Sequence, residues 1–195
     1  MIQDHDRIGY IGASDTKYVM GNWNTKTFRD WWAVKTGETE DLLDNIYTRA
    51  GSAYEGRILD YLEIDDRDRQ IIIGRLRVNL DGETSSHVVE IKTYQWLKGF
   101  RIPKNVKKWD YWQQVQVEMF ATNKTHAFLY AYGLLPSEYE DYGEVDGNRL
   151  DVYDFDYDEE WIENEYLPRL NRLAKCLVEG EKPYEEEKED TDSGQ

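Results

Sequence analysis

The spacing of apolar residues changes near residue 70, and this change restricts the fold more than any other feature of the sequence. In residues 25–36 apolar side chains recur at helical spacing, which predicts an amphipathic helix capped by Thr25 and ended by Gly37. A second helix is predicted from about Thr48 to Leu62. Beyond residue 70, short runs of β-branched and aromatic residues predict strands. A chain with both patterns is expected to fold as a mixed α/β domain.

The predicted elements follow the order α, α, β, β, α, β, β, α, without an internal repeat. After the first two helices, the predicted strands are 71–73 with 76–80, 87–92, 127–135 and 150–155, and the predicted helices are 109–121 and 158–178. The dipeptide Asp81-Gly82 is typical of a turn, so segments 76–80 and 87–92 are expected to form a hairpin. Pro168 is expected to kink or split the last helix. The pattern predicts a small mixed central sheet flanked by helices.

The charge distribution divides the chain into two unequal parts. The net charge of the 195 residues is −16 at pH 7. Residues 1–137 hold 19 acidic and 18 basic side chains, whereas residues 138–195 hold 21 acidic and 6 basic ones. Segment 98–108 carries five basic residues and no acidic one, so it can follow a phosphate backbone despite the acidic total. Binding to DNA is therefore not excluded.

Domain organisation and cellular location follow from composition. We expect one domain from residue 1 to 178 and an acidic, disordered tail from 179 to 195, because the tail is nearly free of apolar residues. The lone Cys176 excludes a disulfide within the chain and any all-cysteine metal site. The sequence contains neither a run of about 18 apolar residues nor a recognisable secretory signal. We expect a soluble protein of a reducing cytoplasm, without a membrane partner.

The residues that carry chemistry lie at the end of one predicted strand and along the next. On a strand Glu90 and Lys92 share one face, while Val89 and Ile91 point to the other. Asp81 ends the preceding strand and is expected beside Glu90. Two adjacent carboxylates repel each other unless a hard divalent cation binds both, and a nearby lysine can act on a water molecule and a phosphate. This set suits phosphodiester hydrolysis, although a surface ion pair on a hairpin has the same pattern.

Two further polar side chains are candidates for the same cleft. Glu55 lies on the second predicted helix among core residues, where a glutamate is most often an ordinary surface residue. Gln114 and Gln116 lie on the predicted helix 109–121, and their spacing allows only one of them to point toward the hairpin.

These motifs occur in an order that resembles the YqaJ-like viral recombinase family, the family of phage lambda-type exonucleases within the PD-(D/E)XK nuclease superfamily. The resemblance covers roughly residues 7–135. The residues that carry it are Arg7 with Ser14, Trp32-Ala33-Val34-Lys35-Thr36-Gly37, Gly51 with Tyr54-Glu55, Asp81-Gly82, Glu90-Ile91-Lys92 and Tyr111 with Gln114-Val115-Gln116. Each motif is short, but six in register are difficult to obtain by chance. Leu80 stands where the superfamily's name has proline.

The resemblance implies a restriction-endonuclease-like core and a role for each matched residue. Asp81, Glu90 and the backbone carbonyl of Ile91 would bind Mg²⁺, with Mn²⁺ as an alternative, and Glu55 would act in the same metal site. Lys92 would position the attacking water, and Gln114 would hold the nucleophile or the substrate strand. Arg7 and Ser14 would bind the terminal 5′-phosphate. Independently of the resemblance, the basic segment predicts these DNA contacts: Arg101, Lys104, Lys107 and Lys108.

The function implied is a Mg²⁺-dependent 5′→3′ exonuclease that acts on linear double-stranded DNA with free 5′ ends and leaves 3′ single-stranded overhangs for recombination. The resemblance also implies a single-strand annealing protein as partner, a homo-oligomer that is a trimer, and a phage or prophage protein of the bacterial host cytoplasm.

Two other functions remain open at this point. A DNA endonuclease of the same fold would use the same residues, whereas a CRISPR-associated nuclease with an iron–sulfur cluster would need four cysteines. Alternatively, segment 138–165 interleaves acidic and aromatic residues and could mimic DNA, as in an inactive inhibitor of a DNA-binding protein. A solvated acidic face beside an aromatic core gives the same pattern.

Overall fold

The computed structural model describes residues 8–40 and 45–185. These residues form a mixed α/β fold, as the sequence predicts. In chain order the elements are β1 (Ile11–Gly12), α1 (Thr16–Val19), α2 (Lys26–Thr36), α3 (Ile46–Tyr61), β2 (Gln70–Ile73), β3 (Leu76–Asn79), β4 (Gly82–Glu83), β5 (His87–Gln95), α4 (Asp110–Thr122), β6 (His126–Leu134), β7 (Leu150–Asp156), α5 (Glu159–Trp161) and α6 (Leu167–Glu179). The sequence pattern did not predict β1 and α1, because elements of two and four residues show no periodicity.

Capping residues set the ends of the long helices. Thr25 caps α2 by accepting a hydrogen bond from the backbone N–H of Phe28 at 3.2 Å, and Gly37 ends it with φ of 77°. Asn45 caps α3 by accepting from the N–H groups of Tyr47 and Thr48, so α3 begins two residues earlier than predicted. Within residues 8–40 and 45–185, no helix is long and apolar enough to cross a lipid bilayer.

The last helical segment is divided, as the proline in it predicts. A π-helical turn at Ile162–Tyr166 separates α5 from α6, and Pro168 lies in the first turn of α6, where its missing N–H is tolerated. Residues 180–185 of the expected tail pack against the domain: Pro183 is buried, and the Tyr184 ring lies 6.1 Å from that of Phe28. The packed structure therefore extends beyond residue 178, and residues 186–195 lie outside the described part.

The strands form two small sheets rather than one. The three-stranded sheet has the order β1-β3-β2, with β1 parallel and β2 antiparallel to β3. The four-stranded sheet has the order β4-β5-β6-β7, in which only β5 and β6 are parallel.

The predicted hairpin between 76–80 and 87–92 is wrong. Strand β3 pairs with β2, and the partner of β5 is the two-residue strand β4. Asp81-Gly82 is thus the link between the two sheets and not a turn. The link passes close to α3, since a Cβ on Gly82 would lie 2.8 Å from Cδ2 of Leu59, so only glycine fits without a shift.

Helices cover both faces of the four-stranded sheet and divide the core in two. On one face α3 packs over β5 and β6, in a cluster that comprises Ala50, Tyr54, Ile58, Leu59, Val89, Ile91, Tyr132 and Leu134. On the other face α4 packs between this sheet on one side and α1 and the π-helical turn on the other, in a cluster whose buried members include Trp32, Val88, Met119, Leu129 and Trp161. Because side chains alternate along β5, successive residues of this strand pack in the two different core clusters.

Candidate active site

Strand β5 presents Glu90 and Lys92 to α4, while Val89 and Ile91 join the core beneath α3. The shared face predicted for Glu90 and Lys92 is present, because the Lys92 ammonium forms an ion pair with Oε1 of Glu90. Glu90 is only 1% exposed. A carboxylate this deeply buried requires a partner or a ligand, which distinguishes this pair from a surface ion pair.

Asp81 lies beside Glu90, as expected, although the two residues are held together by a sheet link and not by a hairpin turn. Its Oδ2 accepts a hydrogen bond from the backbone N–H of Ile91 at 2.8 Å, which fixes the carboxyl against β5. Burial raises the pKa of Asp81 well above its ordinary value, and the nearby carboxylates of Glu90 and Glu55 raise it further.

The Lys92 side chain is held as a cation. Burial alone would lower its pKa, but the carboxylates of Glu90 and Asp81 outweigh burial and hold the pKa of Lys92 above its ordinary value. The ammonium nitrogen also lies 5.5 Å from the centroid of the Tyr111 ring, within the range of a cation–π contact. Near neutral pH Lys92 can thus supply positive charge and N–H donors, whereas a proton-accepting amine is disfavoured.

Gln114 connects the strand to the helix that covers it. Its Nε2 donates to Oε1 of Glu90 at 2.6 Å and to Oε1 of Glu118 at 2.8 Å. Gln116 points elsewhere: its side chain donates to the carbonyl of Asp156 and accepts from the N–H of Asp158. Only one of the two glutamines reaches the cleft, in agreement with their spacing.

Glu118 is a site residue that the sequence analysis missed. It is fully buried, and burial together with the carboxylates of Glu90 and Asp81 raises its pKa well above the ordinary value. The signal was available in the sequence, since Glu118 follows Gln114 by four residues and therefore lies on the same face of α4.

Glu55 approaches the cluster from α3. It is half-buried, and its pKa is raised first by burial and next by the Glu90 carboxylate. Glu55 thus lies within electrostatic reach of Glu90 and Lys92.

The cluster has the chemistry of a cation site. Among the described residues, no three His, Cys, Asp or Glu side chains are already gathered around one point as metal ligands, and the Lys92 ammonium pairs with Glu90. However, Oε2 of Glu90 and Oε2 of Glu118 are buried without a hydrogen-bond partner in the described part of the chain. Four carboxyl groups surround a single ammonium, and all of their oxygens are hard donors. The donor set therefore fits Mg²⁺ or Mn²⁺.

Ser14 is exposed on a short turn that is held in place by the contacts of the next residue, Asp15. The neighbouring Asp15 is buried, and its carboxylate accepts from the N–H of Gly12 at 2.7 Å, from the indole of Trp31 at 2.9 Å and from the ammonium of Lys35 at 2.6 Å. Lys35 is the last residue of the apolar stripe of α2, and its buried ammonium attaches this turn to the helix through the ion pair with Asp15. Arg7, the other expected 5′-phosphate contact, lies outside the described residues.

The basic segment 98–108 lies next to Lys92, because its residue Phe100 packs on Tyr111, which contacts the Lys92 ammonium. The Phe100 ring stacks on Tyr111 with a centroid distance of 5.8 Å, and Tyr111 lies below the Lys92 ammonium. Of the four basic residues expected to contact DNA, Arg101, Lys104 and Lys108 are exposed, and Lys107 forms an ion pair with Asp158 at 2.6 Å.

The acidic stretch 138–165 has its aromatic side chains turned inward. Tyr153 and Phe155 pack against the core, and Trp161 is buried, whereas Asp151, Asp154 and Asp156 are exposed. The acidic and aromatic groups therefore do not share one surface as a base-and-phosphate mimic requires.

Comparison with solved structures identifies similar folds. The LHK-Exo structure in complex with dAMP is 17% identical, with a TM-score of 0.61 over 89% of this chain and 90% of that one. A second structure of this alkaline exonuclease, from Laribacter hongkongensis, gives 17% identity and a TM-score of 0.56 over 89% and 94%. A phage-related exonuclease from Haemophilus somnus 129PT gives 12% identity and a TM-score of 0.65 over 88% and 96%.

No protein-family model matches the chain, and no curated protein matches it. The likeness to the solved exonucleases extends over nearly the whole of both chains in each case. This chain therefore has the fold of the alkaline and phage-related exonucleases, which is the fold that its sequence resemblance predicts.

Proposed function

We propose that this protein is a divalent-cation-dependent exonuclease that hydrolyses linear double-stranded DNA from its 5′ ends and leaves 3′ overhangs. The observation that carries the proposal is the convergence of Asp81, Glu90 and Lys92, joined by Gln114, in one buried cluster of a fold shared with exonucleases. Buried, mutually repelling carboxylates beside a lysine are costly for stability and are typical of catalytic sites.

The residues that would hold Mg²⁺, or Mn²⁺ in its place, are Asp81, Glu90 and the carbonyl of Ile91, with Glu55 nearby. The bound cation would supply positive charge against the negative oxygens of a phosphodiester. The orientation of the two carboxylates is set by the chain itself, because the N–H of Ile91 holds Asp81 and the Gln114 amide holds Glu90.

The protein's own groups would position the reactants. The ammonium of Lys92, restrained by Glu90 and by the Tyr111 ring, can donate a hydrogen bond to the attacking water and place charge near the scissile phosphate. The Gln114 amide, fixed between two carboxylates, keeps Oε1 of Glu90 in place and leaves Oε2 without a protein partner.

The 5′→3′ polarity would come from contacts to the DNA end. Ser14 projects from a turn held by the Asp15–Lys35 ion pair, and Arg7 would join it at the terminal 5′-phosphate. Arg101, Lys104 and Lys108, with Lys107 if it leaves Asp158, would follow the backbone leading to the site.

The same resemblance supports proposals about partners. The 3′ overhang would be handed to a single-strand annealing protein, and the enzyme would work as a homo-oligomer, a trimer, in the cytoplasm of a bacterial host that carries the phage or prophage.

The test is digestion of a linear duplex that carries either a 5′-phosphate or a 5′-hydroxyl, with Mg²⁺ or with EDTA. The expected result is Mg²⁺-dependent degradation of one strand, faster from the phosphorylated end, while closed circular DNA stays intact. A lack of any degradation would contradict nuclease activity. Cutting of the circle would favour the endonuclease, and degradation from the 3′ end would overturn the polarity.

A further inference from the structure

Basic residues are rare in the last third of the chain, yet three of them line one cleft. Residues 138–195 hold only six basic side chains against 21 acidic ones. Arg169, Arg172 and Lys182 nevertheless converge with Trp23 and Tyr184 around a cleft of about 510 Å³ between α6 and the loop that follows α1. Such a local concentration of positive charge in an acidic region points to a purpose other than general solubility.

The two arginines of this cleft are ordered around one indole ring. The guanidinium carbons of Arg169 and Arg172 lie 4.7 Å and 5.3 Å from the centroid of the Trp23 ring. Arg169 is fixed further, because its Nε donates to the carbonyl of Val19 at 2.6 Å and its Nη2 donates to the carbonyl of Gly21. The site is thus preorganised, which lowers the entropic cost of binding a ligand.

The two arginines have neighbouring carboxylates but no ion pair in the described part of the chain: Glu185 lines the same cleft, and Glu165 acts on Arg169 at a distance. Burial lowers the pKa of Arg169, the carboxylate of Glu165 acts in the opposite direction, and the like charge of Arg172 lowers it further. An anion between the two guanidinium groups would relieve their repulsion.

We propose that this cleft, named the Trp23 cleft, binds phosphate groups of a DNA backbone at a place separate from the catalytic cluster. The choice of DNA as the source of the phosphates rests on the proposed function. Arginine forks bind phosphate oxygens, and aromatic residues beside basic ones are typical of grooves that hold nucleic acid strands.

The Trp23 cleft continues toward a second basic cleft. Gly21 lines both of them, and the second cleft, of about 480 Å³, is also lined by Lys17, Lys107 and Lys108. The carboxylates of Asp110 and Glu165 also line the second cleft, whereas Glu185 is the one acidic residue in the described part of the chain that lines the Trp23 cleft, so the lining of the Trp23 cleft carries more net positive charge. Because the two clefts share Gly21, the proposed DNA strand would extend from one into the other.

The test compares two charge-removing substitutions on α6. Arg172→Gln removes an exposed guanidinium that lines the cleft beside the Trp23 ring. Lys175→Gln removes the same charge from the same helix, but Lys175 lies outside the cleft near Glu179, at 3.8 Å. Binding of fluorescent single-stranded and duplex DNA is measured by anisotropy in EDTA at several salt concentrations, and circular dichroism checks the fold of both variants.

We expect Arg172→Gln to weaken DNA binding about ten-fold and to reduce the slope of log affinity against log salt by about 0.7–0.9, whereas Lys175→Gln changes neither appreciably. The strand form that loses more affinity identifies whether single-stranded or duplex DNA occupies the cleft. Equal affinities and slopes for the two variants would overturn the proposal. Binding of a polyglutamate peptide, but not of DNA, in an Arg172-dependent manner would also overturn it, in favour of an acidic protein ligand.

The two proposals of function can fail separately. If the wild-type protein degrades DNA and Arg172→Gln binds DNA like Lys175→Gln, the Trp23 cleft proposal fails and the nuclease proposal stands. If no degradation occurs but DNA binding depends on Arg172, the cleft proposal stands and the nuclease proposal fails.

Discussion

The two faces of strand β5 both contain deeply buried side chains but have opposite chemistry. Toward α3, Val89 and Ile91 are 0% and 5% exposed and pack in an apolar cluster. Toward α4, Glu90 is 1% exposed and contacts Lys92, Gln114 and, through Gln114, Glu118. Burial alone therefore does not reveal which face stabilises the fold and which face is used for chemistry.

The difference lies in what each face does to the free energy of folding. Apolar burial stabilises by about 25 cal/mol per Å² of surface removed from water. The α4 face instead buries several carboxyl groups with one ammonium and leaves two carboxylate oxygens without partners among the described residues, which opposes folding. We infer that the charged face is retained for binding a ligand or for a reaction. Substitutions on each face can then distinguish effects on stability from effects on activity.

The largest expected effect is that of Lys92→Ala on DNA cleavage. Removal of the ammonium takes away the positive charge and the donor beside Glu90, so we expect the cleavage rate to fall by about 10²–10⁴-fold or more. The rate of linear duplex degradation, measured with saturating Mg²⁺ on protein shown to be folded by circular dichroism, checks this.

The matched control for that experiment is Lys26→Ala, which removes an exposed lysine paired with Asp30 on α2. It changes the net charge equally, and we expect its cleavage rate to equal that of the wild type. Undiminished cleavage by Lys92→Ala would remove Lys92 from the mechanism.

The two glutamines of α4 allow a second separation within one helix. Gln114→Ala removes the amide that holds Glu90 and Glu118, so we expect a loss of activity of about 10²-fold, and a loss of stability of about 1–3 kcal/mol because Oε1 of the buried Glu118 loses its donor. Gln116→Ala leaves the Asp156 carbonyl and the Asp158 N–H without their partner, so we expect unfolding to become easier by about 1–3 kcal/mol with activity retained.

Urea denaturation measures the stability of both glutamine variants, and cleavage assays measure their activity per folded molecule. The reverse outcome, with the folded Gln116→Ala variant inactive and the folded Gln114→Ala variant active, would show that the face assignments on α4 are exchanged.

The buried Glu118 gives a pH-dependent test of the charged face. Its pKa in the folded protein is raised, so between its ordinary pKa of 4.5 and the raised value the folded state binds a proton that the unfolded state has lost. Its contribution to stability is therefore full below pH 4.5 and is lost as pH rises through the folded pKa. Glu118→Gln keeps the acceptor for Gln114 but cannot ionise.

We expect Glu118→Gln to have little effect on stability at pH 4.5 and to stabilise the cation-free protein by about 1–3 kcal/mol at pH 8. Chemical denaturation in EDTA at the two pH values measures the difference. A variant that is less stable than the wild type at pH 8 would show that the Glu118 carboxylate stabilises the fold, as a partner of Lys92, instead of opposing it.

The fold could be predicted from periodicity and caps wherever an element was long enough. Helices α2 and α4 and strand β6 lie within a residue or two of their predicted positions, because Thr25, Gly37 and the apolar pattern act locally. Strand pairing is set by contacts between segments distant in sequence, and the hairpin prediction failed because β3 pairs with β2 while β5 pairs with β4 and β6.

Those parts of the candidate site that depend on local strand or helix geometry could be predicted from the sequence. The alternation rule placed Glu90 and Lys92 together because it depends only on strand geometry. Glu118 was missed although its four-residue offset from Gln114 was visible, since an isolated glutamate on a helix is usually exposed. The anchoring of the Ser14 turn by Asp15 and Lys35 joins residues far apart in sequence, so no local pattern indicates it.

The smallest expected effect concerns the apolar face, through Ile91→Val. This substitution removes one methylene from the cluster beneath α3 and leaves the backbone carbonyl and N–H of residue 91 in place. We expect the free energy of unfolding to fall by about 0.5–1.5 kcal/mol, with the cleavage rate per folded molecule unchanged. Urea denaturation and a cleavage assay on the same preparation measure both. If cleavage falls while stability does not, the apolar face must position the Asp81 carboxyl through the backbone of residue 91, and the two faces of β5 would have to be treated as one functional unit.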